Sequence, residues 1–294
     1  MHFLIITNLV WAFSFSLIGV YLAGQVDAWF SVLFRIGLAM LVFIPFLKLG
    51  NLSRTTMAKV MAIGACQLGI MYGFYYQSFL LLSVPEVLLF TVFTPIYVTL
   101  IDDLLHSRFN PWYLITAIIA VLGAVVIKYA GINEGFVVGF LVVQGANMAM
   151  AIGQVAYKKL SENELKDVKH SEVFGLFYIG AFLVAVVAFM LLGSTEKMPT
   201  TTTQWGVLTY LGIIASGLGY FMWNKGACLV NAGTLAAMNN VLVPLGLLVN
   251  LVIWNRDADL VKLALGGGII LLSLIFNETV GKQKIKQKEL AQQG

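Results

Sequence analysis

Ten apolar stretches, each long enough to cross a bilayer, fill almost all of this chain, and they fall into two matching halves. Pro95 and Pro244 mark the correspondence, each in the middle of an apolar segment and 149 residues apart. The same offset carries Tyr72, Tyr75 and Tyr76 roughly onto Tyr220, Trp223 and Asn224. A duplicated five-helix unit is the mark of a small-solute carrier with its site between the repeats. Because five is odd, the second unit enters the membrane from the other side, so the repeats are expected to be inverted.

With 60% hydrophobic and 11% charged residues, no soluble domain of this size could cover its apolar surface. The apolar runs are continuous rather than alternating, which selects helices over a barrel. The expected architecture is therefore an all-α integral membrane protein with ten transmembrane helices as two inverted five-helix repeats. Spans are predicted near 3–23, 29–48, 59–81, 85–104, 111–130, 136–158, 173–193, 205–224, 233–254 and 259–277. The expected units are 1–131, 132–280 and a basic tail, 281–294. The first span has no basic segment before it and a long apolar run, so it reads as a retained helix rather than a signal peptide.

Lys and Arg set the orientation. With the N-terminus inside, the cytoplasmic side collects Lys48, Arg54, Lys59, Arg108, Lys158, Lys159, Lys166, Lys169, Lys225 and the lysines of the tail. The other side holds only Lys128, Lys197, Arg256 and Lys262. Both termini are thus expected in the cytoplasm. The net charge of +4 is a topology signal and calls for no nucleic-acid partner; the expected partners are a small-molecule substrate and membrane lipid. Cys66 lies within a span and Cys228 near the cytoplasmic side, which argues against a structural disulfide.

Polar side chains inside a membrane are costly and need a partner or a task. Arg35 is the only cation well inside a predicted span. It reads as a counter-charge for an anionic substrate, as a side chain snorkelling to the outer headgroups, or as a structural donor to helix carbonyls. Tyr72, Tyr75, Tyr76 and Phe79 share one face of the third helix; Ser216, Tyr220, Trp223 and Asn224 repeat the idea on the eighth. Such stripes are usually packing, but on equivalent helices of inverted repeats they can face each other across a cavity.

Gln144, Asn147 and Gln154 form a stripe on the sixth helix; Asn239, Gly246 and Asn250 form one on the ninth, with Asn240 adjoining. Amides offer donors and acceptors to a neutral polar group, or simply bond one helix to another. Thr91, Thr94 and Pro95 share a face of the fourth helix, and Pro244 is expected to open a backbone gap in the ninth. Glu86 reads as part of a capping box from Ser83. Asp102 and Asp103 read as solvated helix-end acids, which leaves no acid at the bilayer centre and disfavours an exporter of bulky cations. There is no metal-ligand spacing, glycine-rich phosphate loop or nucleophile elbow, so neither a cofactor nor an enzyme is implied.

Trp11-Ala-Phe-Ser14, Arg35, and the Thr-Pro and Val-Pro positions at Pro95 and Pro244 resemble the drug/metabolite transporter superfamily with two EamA-type repeats. Within it, the chain is most similar to the YigM-type biotin transporters of bacterial inner membranes. The segments that carry this likeness run from Leu4 to Ser16, Tyr21 to Asp27, Leu88 to Tyr97, Lys197 to Pro199, Ala215 to Asn224, and through Asn239-Asn240 to Leu251. The chain departs from most of the superfamily at the ends of helices four and nine. It has His106-Ser107-Arg108 and Asn255-Arg256-Asp257 where a Gly-Glu pair is usual, which weakens transfer of substrates from amino-acid exporters. The resemblance implies a secondary carrier importing biotin, with an exporter of amino acids or small metabolites as the alternative. The polar and aromatic residues read above are compatible with that substrate, and the expected site is drawn from Arg35, Trp11, Tyr72, Tyr76, Thr91, Asn147, Tyr220, Trp223, Asn239 and Asn240. Arg35 would face the carboxylate, the amides the ureido group, and the aromatic rings would flank the bicycle.

Overall fold

In a computed structural model, residues 1–50, 52–107, 109–127, 134–254, 260–281 and 283 are described. Arg108, Lys128, the 255–257 triplet, the junction at 131/132 and nearly all of the basic tail lie outside them. All regular structure among the described residues is helical. Eight helices are long and apolar enough to cross a bilayer, and two further apolar helices are shorter.

In chain order the helices are α1 (His2–Leu22), α2 (Ala28–Phe46) and α3 (Arg54–Leu81). Then come α4 (built from Val84–Phe90, a tight turn Thr91–Phe93, and Thr94–Leu105), α5 (Pro111–Ile127) and α6 (Glu134–Asn163). α7 (His170–Leu192), α8 (Thr202–Ala227), α9 (Ala232–Trp254) and α10 (Leu260–Phe276) complete the set. Hydropathy finds the apolar middles, but several helices run on into polar ends; α3, predicted from residue 59, starts at Arg54. Caps set these starts. The Asp27 carboxylate accepts the Phe30 amide at 2.7 Å, and Ser53 Oγ accepts that of Thr56 at 3.0 Å. Thr201 and Gln204 form a reciprocal capping box. Each satisfies backbone N–H groups that lipid could not.

Helix packing pairs up under a shift of five places. α5 packs on α10, α2 on α7 and α4 on α9; α3 meets α7 as α2 meets α8, and α1 meets α9 as α4 meets α6. The α3–α7 crossing is closest. A Cβ on Gly64 would lie 1.9 Å from the Phe177 carbonyl oxygen, and one on Gly180 1.9 Å from that of Met61. Only glycine allows backbones so near.

α3 and α8 also share an irregularity, each widening into a π-helical stretch at mid-membrane, Ala65–Ile70 and Leu211–Leu218. The two prolines behave differently. α4 breaks into its tight turn just before Pro95, whereas α9 stays helical through Pro244, whose missing N–H leaves the Asn240 carbonyl without its helical donor. α9 packs against α1, α4, α5 and α10. Asp102 and Asp103 are another correction. They are 1% and 4% exposed rather than solvated. Asp103 Oδ2 accepts the Asn110 amide at 2.8 Å, and Asp102 lies 3.5 Å from His106 Nδ1.

Candidate substrate cavity

At mid-membrane, between the two halves, lies a cavity with about 650 Å³ of empty space. One wall is built around Arg35 on α2. Only 2% of the residue is exposed, so the side chain does not snorkel. Its Nε donates to Ser216 Oγ at 2.9 Å, Nη1 to the Tyr76 hydroxyl at 2.9 Å and Nη2 to the Tyr72 hydroxyl at 2.7 Å. The guanidinium carbon stands 4.2 Å from the Tyr72 ring centre, a cation–π contact. Three of five N–H groups are thereby committed. One on each terminal nitrogen remains, and no described carboxylate pairs with the charge.

Ser216 can serve Arg35 because of the π-helical stretch in α8. A widened turn leaves carbonyls without helical partners, and distant side chains satisfy them. Trp11 Nε1 donates to the Ala215 carbonyl at 2.8 Å, and the Tyr178 hydroxyl reaches the carbonyls of Ser216 (2.8 Å) and Gly217 (2.5 Å). Ser216 Oγ also shares a 2.9 Å hydrogen bond with the Tyr72 hydroxyl. The cation is therefore seated by a lattice reaching across α1, α2, α3, α7 and α8.

Aromatic rings continue the wall. Trp11 lies 4.9 Å from Tyr220 and 5.0 Å from Trp223, centre to centre. Tyr72 meets Tyr220 edge-on at 5.8 Å, and Tyr75 meets Phe15 the same way at 5.3 Å.

The remaining wall is amide-lined, and the break in α4 explains it. Asn147 Nδ2 donates to the carbonyl of Phe90, the residue just before the tight turn, at 2.8 Å and to Gln144 Oε1 at 3.1 Å. Asn240 Nδ2 donates to the Val92 carbonyl at 3.1 Å. Asn239 pairs with Gln154 in both directions at 3.4 and 3.5 Å, and Gln154 Oε1 accepts the Trp223 indole N–H at 2.8 Å.

Of the ten residues expected at the site, Trp11, Arg35, Tyr72, Thr91, Asn147, Tyr220 and Asn239 line the cavity. Tyr76, Trp223 and Asn240 stand behind the wall, on Arg35, on Trp11 and Gln154, and on the α4 backbone respectively. Ser14, Ile18, Met71, Ala146, Met150 and Leu242 also line it without having been singled out. Their small or apolar character gave no signal apart from helical spacing.

The chain matches the EamA-like transporter family over residues 1–129. It is 50% identical over 286 residues to a protein of Pseudomonas aeruginosa described as a probable biotin transporter, covering 97% of this chain and all of that one. It is 51% identical over 275 residues to the biotin transporters of Salmonella typhimurium and Escherichia coli, covering 93% of this chain and 91% of each. A solved structure, described only as "Crystal structure of protein", shares the fold with a TM-score of 0.73 at 17% identity, over 95% of this chain and 96% of the other. Identity at this level along nearly the whole length, in a multi-pass helical membrane protein with a cavity between its halves, settles the lineage: the chain belongs to the EamA-like transporter family of the drug/metabolite transporter superfamily.

Proposed function

We propose that the chain imports biotin across the bacterial inner membrane as a secondary carrier working by alternating access, without ATP and without altering its substrate. Both termini would lie in the cytoplasm, and residues 1–131 and 132–280 would be the inverted repeats that rock about the cavity. Arg35 carries this reading. A fixed guanidinium at the cavity wall, with two N–H groups to spare and no described carboxylate beside it, suits an anionic ligand better than a neutral or cationic one. Biotin supplies a carboxylate at one end and a neutral bicyclic urea at the other, and the cavity pairs a cationic wall with an amide-bearing one across aromatic rings. The names of relatives about 50% identical to this chain support the same substrate.

The test is uptake of labelled biotin by biotin-requiring cells that express the gene, with an uncoupler control. Saturable uptake above the vector level is expected. No uptake, with the protein present in the membrane, would transfer the assignment to an exporter of small metabolites.

A further inference from the structure

The amides at the cavity are not interchangeable donors and acceptors, because the backbone has already chosen their orientation. A main-chain carbonyl can only accept, so the amide edge facing it must be nitrogen. Asn147 Nδ2 faces the Phe90 carbonyl at 2.8 Å, and its other hydrogen goes to Gln144 Oε1 at 3.1 Å. Asn239 Nδ2 faces the Leu235 carbonyl at 2.8 Å, and its other hydrogen goes to Gln154 Oε1 at 3.4 Å. Gln154 is oriented in turn by the Trp223 indole, a donor only, at 2.8 Å from its Oε1. Both N–H groups of each cavity-lining asparagine are thus spent inside the protein. Asn147 Oδ1 has no donor among the described residues, and Asn239 Oδ1 receives only the long 3.5 Å bond from Gln154.

From this we infer that the cavity is polarised. It offers donors at the Arg35 wall and acceptors at the Asn147/Asn239 wall, and selects a substrate whose uncharged end donates hydrogen bonds. Building on the biotin assignment above, Asn147 Oδ1 and Asn239 Oδ1 read the ureido N–H groups, and the substrate lies with its carboxylate toward Arg35. The thioether ring makes no polar demand on this wall. Selection rests on N–H groups and not on the sulfur.

Competition against labelled biotin uptake by the unmodified protein tests the inference. Four competitors are used: biotin, desthiobiotin (which keeps both N–H groups and lacks the sulfur bridge), biotin methylated at one ureido nitrogen, and biotin methylated at both. Desthiobiotin is expected to compete within about threefold of biotin. The first N-methylation should raise the half-inhibitory concentration about tenfold or more, and the second further still, because each strands a buried acceptor. In Asn147→Ala and Asn239→Ala, whichever variant still transports should show a smaller ratio between biotin and its N-methylated forms. Methylated analogues that compete as well as biotin against the unmodified protein overturn the inference while leaving biotin import standing. Failure of unlabelled biotin itself to compete overturns the import reading instead.

Discussion

Replacing Arg35 by lysine keeps the charge and removes the fork. The native guanidinium spends three N–H groups on Ser216, Tyr76 and Tyr72 and has two left for a carboxylate. A lysine ammonium has three in all, on one atom, so it cannot hold the three hydroxyls and the substrate together. The substrate then keeps one charge-assisted hydrogen bond in place of two. Such a bond is worth about 1.5–3 kcal/mol, so the half-saturation concentration should rise roughly tenfold to a hundredfold. Arg35→Ala should abolish measurable uptake. The assay is transport of labelled biotin in proteoliposomes, with biotin methyl ester as a competing ligand and the amount of folded protein checked for each variant. In the unmodified protein the ester, lacking an anionic end, should bind at least tenfold more weakly than the acid, about 1.4 kcal/mol. In Arg35→Lys that preference should shrink. An acid-over-ester preference that survives intact in Arg35→Lys would falsify the pairing of Arg35 with the carboxylate, whatever happens to the overall rate.

Tyr178→Phe removes the hydroxyl that satisfies the carbonyls of Ser216 and Gly217, outside the cavity. It should lower stability in detergent by about 1–2 kcal/mol, and unchanged thermal unfolding would mean that the π-helical stretch needs no such support. Gly64→Ala puts a methyl group 1.9 Å from the Phe177 carbonyl oxygen and should cost about 3 kcal/mol or more, visible as loss of a monodisperse peak on size exclusion. Gly206→Ala, with nothing within 4 Å of the added carbon, should instead stabilise by about 0.5–1 kcal/mol; equal behaviour of the two variants would undercut the close crossing of α3 and α7. Cys228 is a free thiol beyond the end of α8, and burial pushes its pKa up to about 11, partly offset by a hydrogen bond to Ser161. A raised thiol pKa means less thiolate at neutral pH, about one part in ten thousand. Maleimide labelling of Cys228, followed by peptide mass spectrometry, should therefore climb about tenfold per pH unit from pH 7 to 9, and a plateau near pH 9 would contradict the environment described.

Arg35 was legible in the sequence because a charge within an apolar span is rare and expensive, and the pairing of tyrosine stripes followed from the repeat. Less legible was what the stripes are for. Tyr72 and Tyr76 use their hydroxyls to hold Arg35, and of the two only Tyr72 reaches the cavity wall. No local pattern announces that Ser216 would be the third acceptor, since that depends on a widened turn stabilised from α1 and α7. Asn240 and Asn147 look alike in sequence, and both donate to α4 carbonyls at its break, which only one of two equivalent prolines accompanies; yet only Asn147 also lines the cavity. Asp102 and Asp103 were misread because a helix end was assumed to mean water, whereas the chain turns back at Asn110 and covers them.

The near-symmetry of the helices conceals two unlike closures. At the end of the cavity toward the N-terminus, the seal is a hydrogen-bonded lattice. Gln154 joins Asn239 and Trp223, and Asn8 Nδ2 donates to the Met238 carbonyl at 3.0 Å. Beyond it, Glu164, just past α6, binds Lys59 on α3, and Glu172, in the first turn of α7, binds Lys48, just past α2. At the opposite end the seal is chiefly apolar. A Cβ on Gly19 would lie 2.1 Å from Val84 Cγ2, and one on Gly246 3.0 Å from Leu88 Cδ2, with the Ser16–Asn250 bond of 3.3 Å a polar link on that side. An apolar contact parts without leaving polar groups unpaired; a buried hydrogen bond does so only if something replaces it. Asn239 belongs both to the lattice and to the cavity wall. A ligand N–H that reaches Asn239 Oδ1 competes with its 3.5 Å bond from Gln154. With import and cytoplasmic termini as proposed, the substrate's own donors would offset the cost of opening the side toward which it must leave, and an empty carrier would lack that help.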